Sequence, residues 1–196
     1  MTLFKKQYRI ESSRRPGWDY AENGYYFITI CTKDRECLFG EIQNEKMILD
    51  EFGIIIQEEW EKSFVIRKEL SCNTYIIMPN HIHAIIVLDK NDVIPVETHG
   101  RASLHNNAHL QNDPSLQHNM IAPYRSPKSI SSFVAGFKSV ATMRINQIRN
   151  TPKMPLWQSR FHDRIIRDEI EFYSMKKYIA DNPMHWEEDE FYAKAV

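Results

Sequence analysis

Residues 75–88 read YIIMPNHIHAIIVL. Two apolar runs flank Pro79-Asn80, a turn signal, so the stretch reads as two strands joined tightly into an antiparallel hairpin. The spacing predicts one strand over Asn73–Met78 and the next over His81–Leu88. The run Ala84–Leu88 is wholly apolar, which makes the second a core strand rather than a loop. In a strand, residues i and i+2 share a face, so His81 and His83 project together while Ile82 points the other way, into the core. Two neutral imidazoles on one rigid strand are half of a divalent-metal site. The competing reading is a plain surface pair of histidines. A third ligand must come from elsewhere in the chain: an Asp, Glu, His, Gln or Asn of the last helix, or of the segment Leu156–Ile166.

Outward from this hairpin the elements are punctuated clearly. Upstream, Tyr25–Cys31 is aromatic and β-branched, a strand signal, preceded by a polar, basic stretch, Lys5–Asn23, that reads as an extended arm. A charged loop follows and ends near Phe39-Gly40. Phe52, Ile55, Ile56 and Trp60 recur at helical spacing behind Asp50, which predicts an amphipathic helix over Asp50–Ser63, with Gly53 as its weak point. Downstream, Ser129–Ile148 carries the stripe Phe133, Phe137, Val140, Ala141 and Ile145, with Ser129 or Ser131 as cap. Leu156–Ile166 reads as a fourth strand. Asp168 then caps a last helix that Pro183 stops. The order βαββαβ followed by a helix predicts an α+β fold: a ferredoxin-like antiparallel sheet with helices on one face, plus a C-terminal helix.

The 196 residues are one domain's worth of chain. Residues 89–125 are rich in Asn, His, Gln, Ser and Pro and read as a mobile insertion. Its four histidines (His99, His105, His109, His118) are spaced too irregularly for a metal site. Residues 187–196 read as an acidic tail. Hydrophobic residues make up 42% of the chain, which excludes wholesale disorder. No apolar run reaches the length of a membrane span, and Met1–Arg15 has no secretory apolar core, so no membrane partner is expected. Three cysteines build no disulfide framework, and reduced thiols in the cytoplasm are the expectation.

The net charge of −1 conceals its distribution. Between Ile121 and Asp168, nine basic residues face only Asp163 and Asp168, a local +7 that the rest of the chain offsets with −8. A basic stretch interleaved with Phe137, Trp157 and Phe161 has the electrostatic footprint of a nucleic-acid partner, a solvated helix face being the alternative. Candidate contacts are Arg14 and Arg15 in the arm, then Lys128, Lys138, Arg144, Arg160 and Arg164. On the last helix, Tyr178 and Asn182 lie four apart and so share a face. A phenol there is a potential nucleophile with an amide oxygen one turn on, provided something activates it. Tyr173 is its competitor, and Pro183 threatens the helical geometry of Asn182.

Taken together, YYFITICTKDRECLFGEI (25–42), YIIMPNHIHAIIVL, LWQSRFHDRIIRDE (156–169) and KKYIADNPMHW (176–186) resemble the REP-associated tyrosine transposases, a branch of the single-tyrosine HUH transposases. The resemblance spans Tyr8–Trp186 apart from the insertion. It implies that His81 and His83 bind a divalent metal, Mg²⁺ or Mn²⁺, and that Tyr178 is the nucleophile. It also implies that Asn182 sits where the insertion-sequence branch carries a metal-binding Gln. The implied activity is cleavage and rejoining of single-stranded or hairpin DNA through a 5′-phosphotyrosine, by a monomer or a homodimer. The alternatives are a domesticated sequence-specific DNA-binding protein without nicking activity, and a metal-dependent hydrolase using the same histidines.

Overall fold

A computed structural model describes residues 3–4, 7–8, 19–91 and 127–192 of the chain. Arg14, Arg15 and nearly all of the predicted insertion lie outside the described residues.

The chain runs β1 (Leu3–Phe4), β2 (Gln7–Tyr8), β3 (Gly24–Cys31), β4 (Gly40–Gln43), β5 (Lys46–Leu49), α1 (Glu51–Ile66), β6 (Leu70–Met78), β7 (His81–Leu88), α2 (Ile130–Arg149), β8 (His162–Ile166) and α3 (Glu169–Asp181). Four strands form the central sheet in the order β6-β7-β3-β8, with every neighbouring pair antiparallel. Counting only sheet strands, the fourth lies beside the first, then the third, then the second, which is the ferredoxin-like arrangement expected from element order.

The period-2 alternation of β3 and β7 divides the apolar side chains between two cores, one on each face of the sheet. Tyr26, Ile28 and Ile30 of β3, with Ile82, Ala84, Ile86 and Leu88 of β7, face α1 and α2 and form the main core with Trp60, Phe133 and Phe137. Trp60 is fully buried and meets Phe64, Tyr75, Phe133 and Phe137 at centroid distances of 5.1–5.8 Å. The opposite face of the sheet packs Ile85 and Ile166 against Ile179 of α3, with Phe27, Phe172 and Met175 around them. The C-terminal helix therefore lies across the sheet from the other two. His81 and His83, out of phase with the core residues of β7, open on the side of α3.

Helix starts follow the caps read from sequence. Asp50 accepts from Gly53 N at 2.8 Å and Asp168 from Glu171 N at 2.8 Å. Of the two candidate serines, Ser129 caps α2, in a reciprocal box with Ser132. Gly53 is there for close approach: a Cβ would sit 2.1 Å from the Phe39 carbonyl oxygen.

In the stretch after the charged loop, for which no element is predicted, β4 and β5 form a hairpin across Asn44-Glu45. Two expectations need correction. The strand expected over Leu156–Ile166 is confined to His162–Ile166. Trp157 makes only an isolated bridge to Thr32, and Lys138 holds the carbonyls of Gln158 and Arg160 at 2.8 and 2.9 Å. This stretch is held between α2 and the end of β3, where Lys33 N donates to Leu156 O at 2.9 Å and Gln158 N to Cys31 O at 3.0 Å, without forming a continuous strand. The acidic end, as far as Tyr192, is not a solvated tail. Residues Asn182–Glu188 form a 3-10 turn, and Phe191 is 95% buried, at 5% exposure.

Candidate metal and tyrosine site

The site begins with the register of the sheet. His83 pairs with Thr29 of β3 and His81 with Cys31. Both imidazoles are buried, with ring centroids 4.4 Å apart. Each has its Nδ1 engaged by a neighbour: His83 Nδ1 lies 2.9 Å from Thr29 Oγ1, and His81 Nδ1 lies 2.8 Å from Asn80 Oδ1. That leaves Nε2 on both rings for other work. Burial pushes the His81 pKa down to about 3, with help from the Arg35 charge. Burial and the neighbouring His81 also hold His83 well below the ordinary imidazole value. Both rings are thus neutral, the form that binds a metal.

α3 delivers the tyrosine. Tyr178 Oη lies 3.3 Å from His83 Nε2, and the phenol packs edge-on against Phe27. The side chain is 39% exposed, so a ligand can reach it. Tyr173, the sequence competitor, is 64% exposed and packs on Phe172. Asn182 keeps α-helical angles despite Pro183 (φ −55°, ψ −40°), so the i,i+4 relation to Tyr178 holds. Asn182 is buried, and its Oδ1 has no hydrogen-bond partner.

A further residue completes the constellation, and sequence reasoning passed over it. After the 3-10 turn the chain folds back and sets Asp189 beside the tyrosine. Asp189 Oδ2 accepts from Tyr178 Oη at 3.2 Å and from Asn182 Nδ2 at 2.7 Å, while Oδ1 accepts from Phe191 N at 2.7 Å. Ligand atoms of His81, His83 and Asp189 all lie within 4.8 Å of one another. The segment is pinned from below, because Arg35 donates to Glu190 O at 2.6 Å and Asn80 Nδ2 to Phe191 O at 2.8 Å. The Phe191 ring lies 5.0 Å from that of His81. Asp189 was hidden in the acidic run Glu187–Glu190, which reads as solvated charge.

The residues present fit a divalent ion. Two neutral imidazoles, a carboxylate and an amide oxygen form a mixed N/O donor set of the kind Mn²⁺ and Mg²⁺ accept. His81 Nε2 and Asn182 Oδ1 are buried polar atoms with no partner in the protein. Burying such an atom unpaired costs about 1–3 kcal/mol, a cost that metal coordination removes.

The candidate DNA contacts divide by environment. Lys138 is bound to two carbonyls, and Arg144 is paired with Glu58 at 2.8 Å and Glu59 at 2.7 Å. Lys128, Arg160 and Arg164 are exposed, with Arg164 paired to Glu171 at 2.6 Å.

Comparisons with known proteins bear on the fold and the family. No family model matches the chain. The structure of the REP-associated tyrosine transposase bound to a REP hairpin is similar in fold at 17% identity, with a TM-score of 0.54, over 89% of this chain and 73% of that one. An uncharacterised protein of Haemophilus influenzae (strain Rd) is 32% identical over 181 residues, 92% of each chain. The chain thus belongs to the family of that Haemophilus protein, and it has the fold of the REP-associated tyrosine transposase.

Proposed function

We propose that the chain cleaves and rejoins single-stranded DNA at hairpin-forming repeats, through a covalent bond to Tyr178. The observation that carries this reading is the 3.3 Å approach of Tyr178 Oη to His83 Nε2, on the same sheet face as His81. A partly exposed phenol beside a buried histidine pair and a carboxylate supports a joint role for the four.

The chemistry that a bound Mg²⁺ or Mn²⁺ supplies is polarisation of the scissile phosphate and relief of the charge that develops on it. His81 and His83 would hold that ion, with Asp189 and Asn182 offering the oxygen ligands. Tyr178 Oη attacks phosphorus, the bond to the 3′ oxygen breaks, and the 3′-hydroxyl leaves with a proton. The DNA stays on the protein as a 5′-phosphotyrosine. Attack by a 3′-hydroxyl reverses the step and rejoins strands without a nucleotide cofactor. Asp189 Oδ2 already accepts from the phenol, so a carboxylate stands where the proton must leave. Exposed Lys128, Arg160 and Arg164, and the arm residues Arg14 and Arg15, would track the phosphates.

The test is a hairpin-tailed oligonucleotide incubated with the protein and Mn²⁺ and resolved on a denaturing gel. The wild-type protein is expected to give a protein–DNA adduct that EDTA prevents, and Tyr178→Phe to give none. No adduct from the wild type overturns the reading. Cut DNA without an adduct replaces it with hydrolysis.

A further inference from the structure

The Asn80 side chain has three hydrogen bonds, and the residue has no exposed surface. Its Nδ2 donates to Arg35 O at 3.0 Å and to Phe191 O at 2.8 Å, while its Oδ1 faces His81 Nδ1 at 2.8 Å. Both amide hydrogens are therefore spent on carbonyls. Flipping the amide would replace two hydrogen bonds by two repulsive contacts of Oδ1 with the carbonyl oxygens of Arg35 and Phe191, so its orientation is determined. Oδ1 can only accept, so the hydrogen in the contact must come from His81 Nδ1. A neutral imidazole carries one hydrogen, so with Nδ1 protonated His81 keeps its lone pair on Nε2. That nitrogen is buried and has no partner in the protein.

We propose that Asn80 is a positioning residue that dictates the tautomer of His81, keeping Nε2 as an unprotonated ligand nitrogen. The same amide ties the segment carrying Asp189 to the histidine strand through Phe191 O, so one side chain sets both the donor atom of His81 and the place of the carboxylate. Thr29 cannot do this for His83 unaided, because a hydroxyl donates or accepts with equal ease. Removing the Asn80 acceptor frees His81 to carry its hydrogen on Nε2. In that state the nitrogen is closed to a metal. The consequence for metal binding rests on the function proposed above, whereas the tautomer does not.

The experiment uses the full chain, labelled with ¹⁵N-histidine and free of metal. Long-range ¹H–¹⁵N correlations near neutral pH identify the protonated nitrogen of each ring. Wild-type His81 is expected to show a protonated Nδ1, Asn80→Ala a protonated Nε2, and Asn80→Asp, which retains an acceptor, a protonated Nδ1 again. Mn²⁺ titration by calorimetry is expected to show affinity about 10- to 100-fold lower in Asn80→Ala. A protonated Nε2 in the wild type, or a protonated Nδ1 retained in Asn80→Ala, overturns the assignment. Should the alanine variant not fold, a protonated Nε2 in Asn80→Asp overturns it equally. If the tautomers behave as expected but wild-type protein binds no Mn²⁺, the metal reading fails and the role of Asn80 stands.

Discussion

Tyr178 is a phenol whose surroundings oppose its ionisation. Partial burial, and then the charge of Asp189 with its hydrogen bond, push the pKa well above the usual phenol range. The side chain is therefore held as a neutral donor, and for the proposed function a cation would have to offset Asp189 before the oxygen could act as a nucleophile. Asp189→Asn retains the side-chain volume and an oxygen for Phe191 N but removes the charge. Its Mn²⁺ affinity, measured by calorimetry, is expected to fall by about one to two powers of ten, with the fold retained by circular dichroism. The cysteines present the opposite case, groups made inert by their surroundings. Burial raises the thiols of Cys31 and Cys72 to about 11. At a pH of about 8 only about one in a thousand would be thiolate, the reactive form. Alkylation of the folded protein, followed by mass spectrometry, should be slow at that pH for both. It should accelerate as pH rises toward 11, or at once on unfolding.

Among the elements, α1 sits unusually close to the β4–β5 hairpin because Gly53 lets it. A side chain there would meet Phe39 O at 2.1 Å and Leu49 Cδ2 at 2.9 Å, so Gly53→Ala gains helix propensity and loses more to overlap. A net loss of about 1–3 kcal/mol is expected in urea unfolding, and a stabilised variant would contradict this packing. α1 and α2 are also braced by charge, since Arg144 bridges Glu58 and the largely buried Glu59. Removing the guanidinium leaves Glu59 with Lys62 alone at 3.3 Å. Arg144→Ala should therefore lower stability by about 1–3 kcal/mol, read from the same unfolding curves.

For the molecule as a whole, near-neutrality is the sum of opposed regions. Part of the +7 stretch turns inward: Lys138 and Arg144 hold the scaffold and Arg149 packs over Phe52, whereas Lys128, Arg160 and Arg164 are exposed and are what a polyanion would meet. The two groups should separate in experiment. Lys128→Ala, Arg160→Ala and Arg164→Ala are each expected to weaken hairpin-DNA binding by fluorescence anisotropy and to reduce its salt slope by about one. Lys138→Ala should instead lower the melting temperature. Binding that does not weaken between about 50 and 200 mM salt would remove the electrostatic role from all of them. Among the described residues no helix is long and apolar enough to cross a membrane.

What could be read from the chain was local and periodic. The alternation around His81-Ile82-His83, the helical stripes of α1 and α2, the capping residues Asp50, Ser129 and Asp168, and the i,i+4 relation of Tyr178 to Asn182 all follow from repeat distances that a backbone must obey. With them came the order of elements, and hence the sheet. Three things depended on the chain returning to itself. Asp189 is one member of an acidic run until the turn after Pro183 carries it to the tyrosine. Asn80 is a turn residue until β7 pairs with β3 and the C-terminal segment lays Phe191 O against its amide. Lys138 and Arg144 are two more positive charges until α2 meets the stretch before β8 on one side and α1 on the other. The difference is physical: secondary structure is determined by neighbours a few residues apart, whereas a candidate ligand set, a tautomer and an ion pair depend on groups that only the packing of separate elements brings within 2.7 to 4.8 Å of one another.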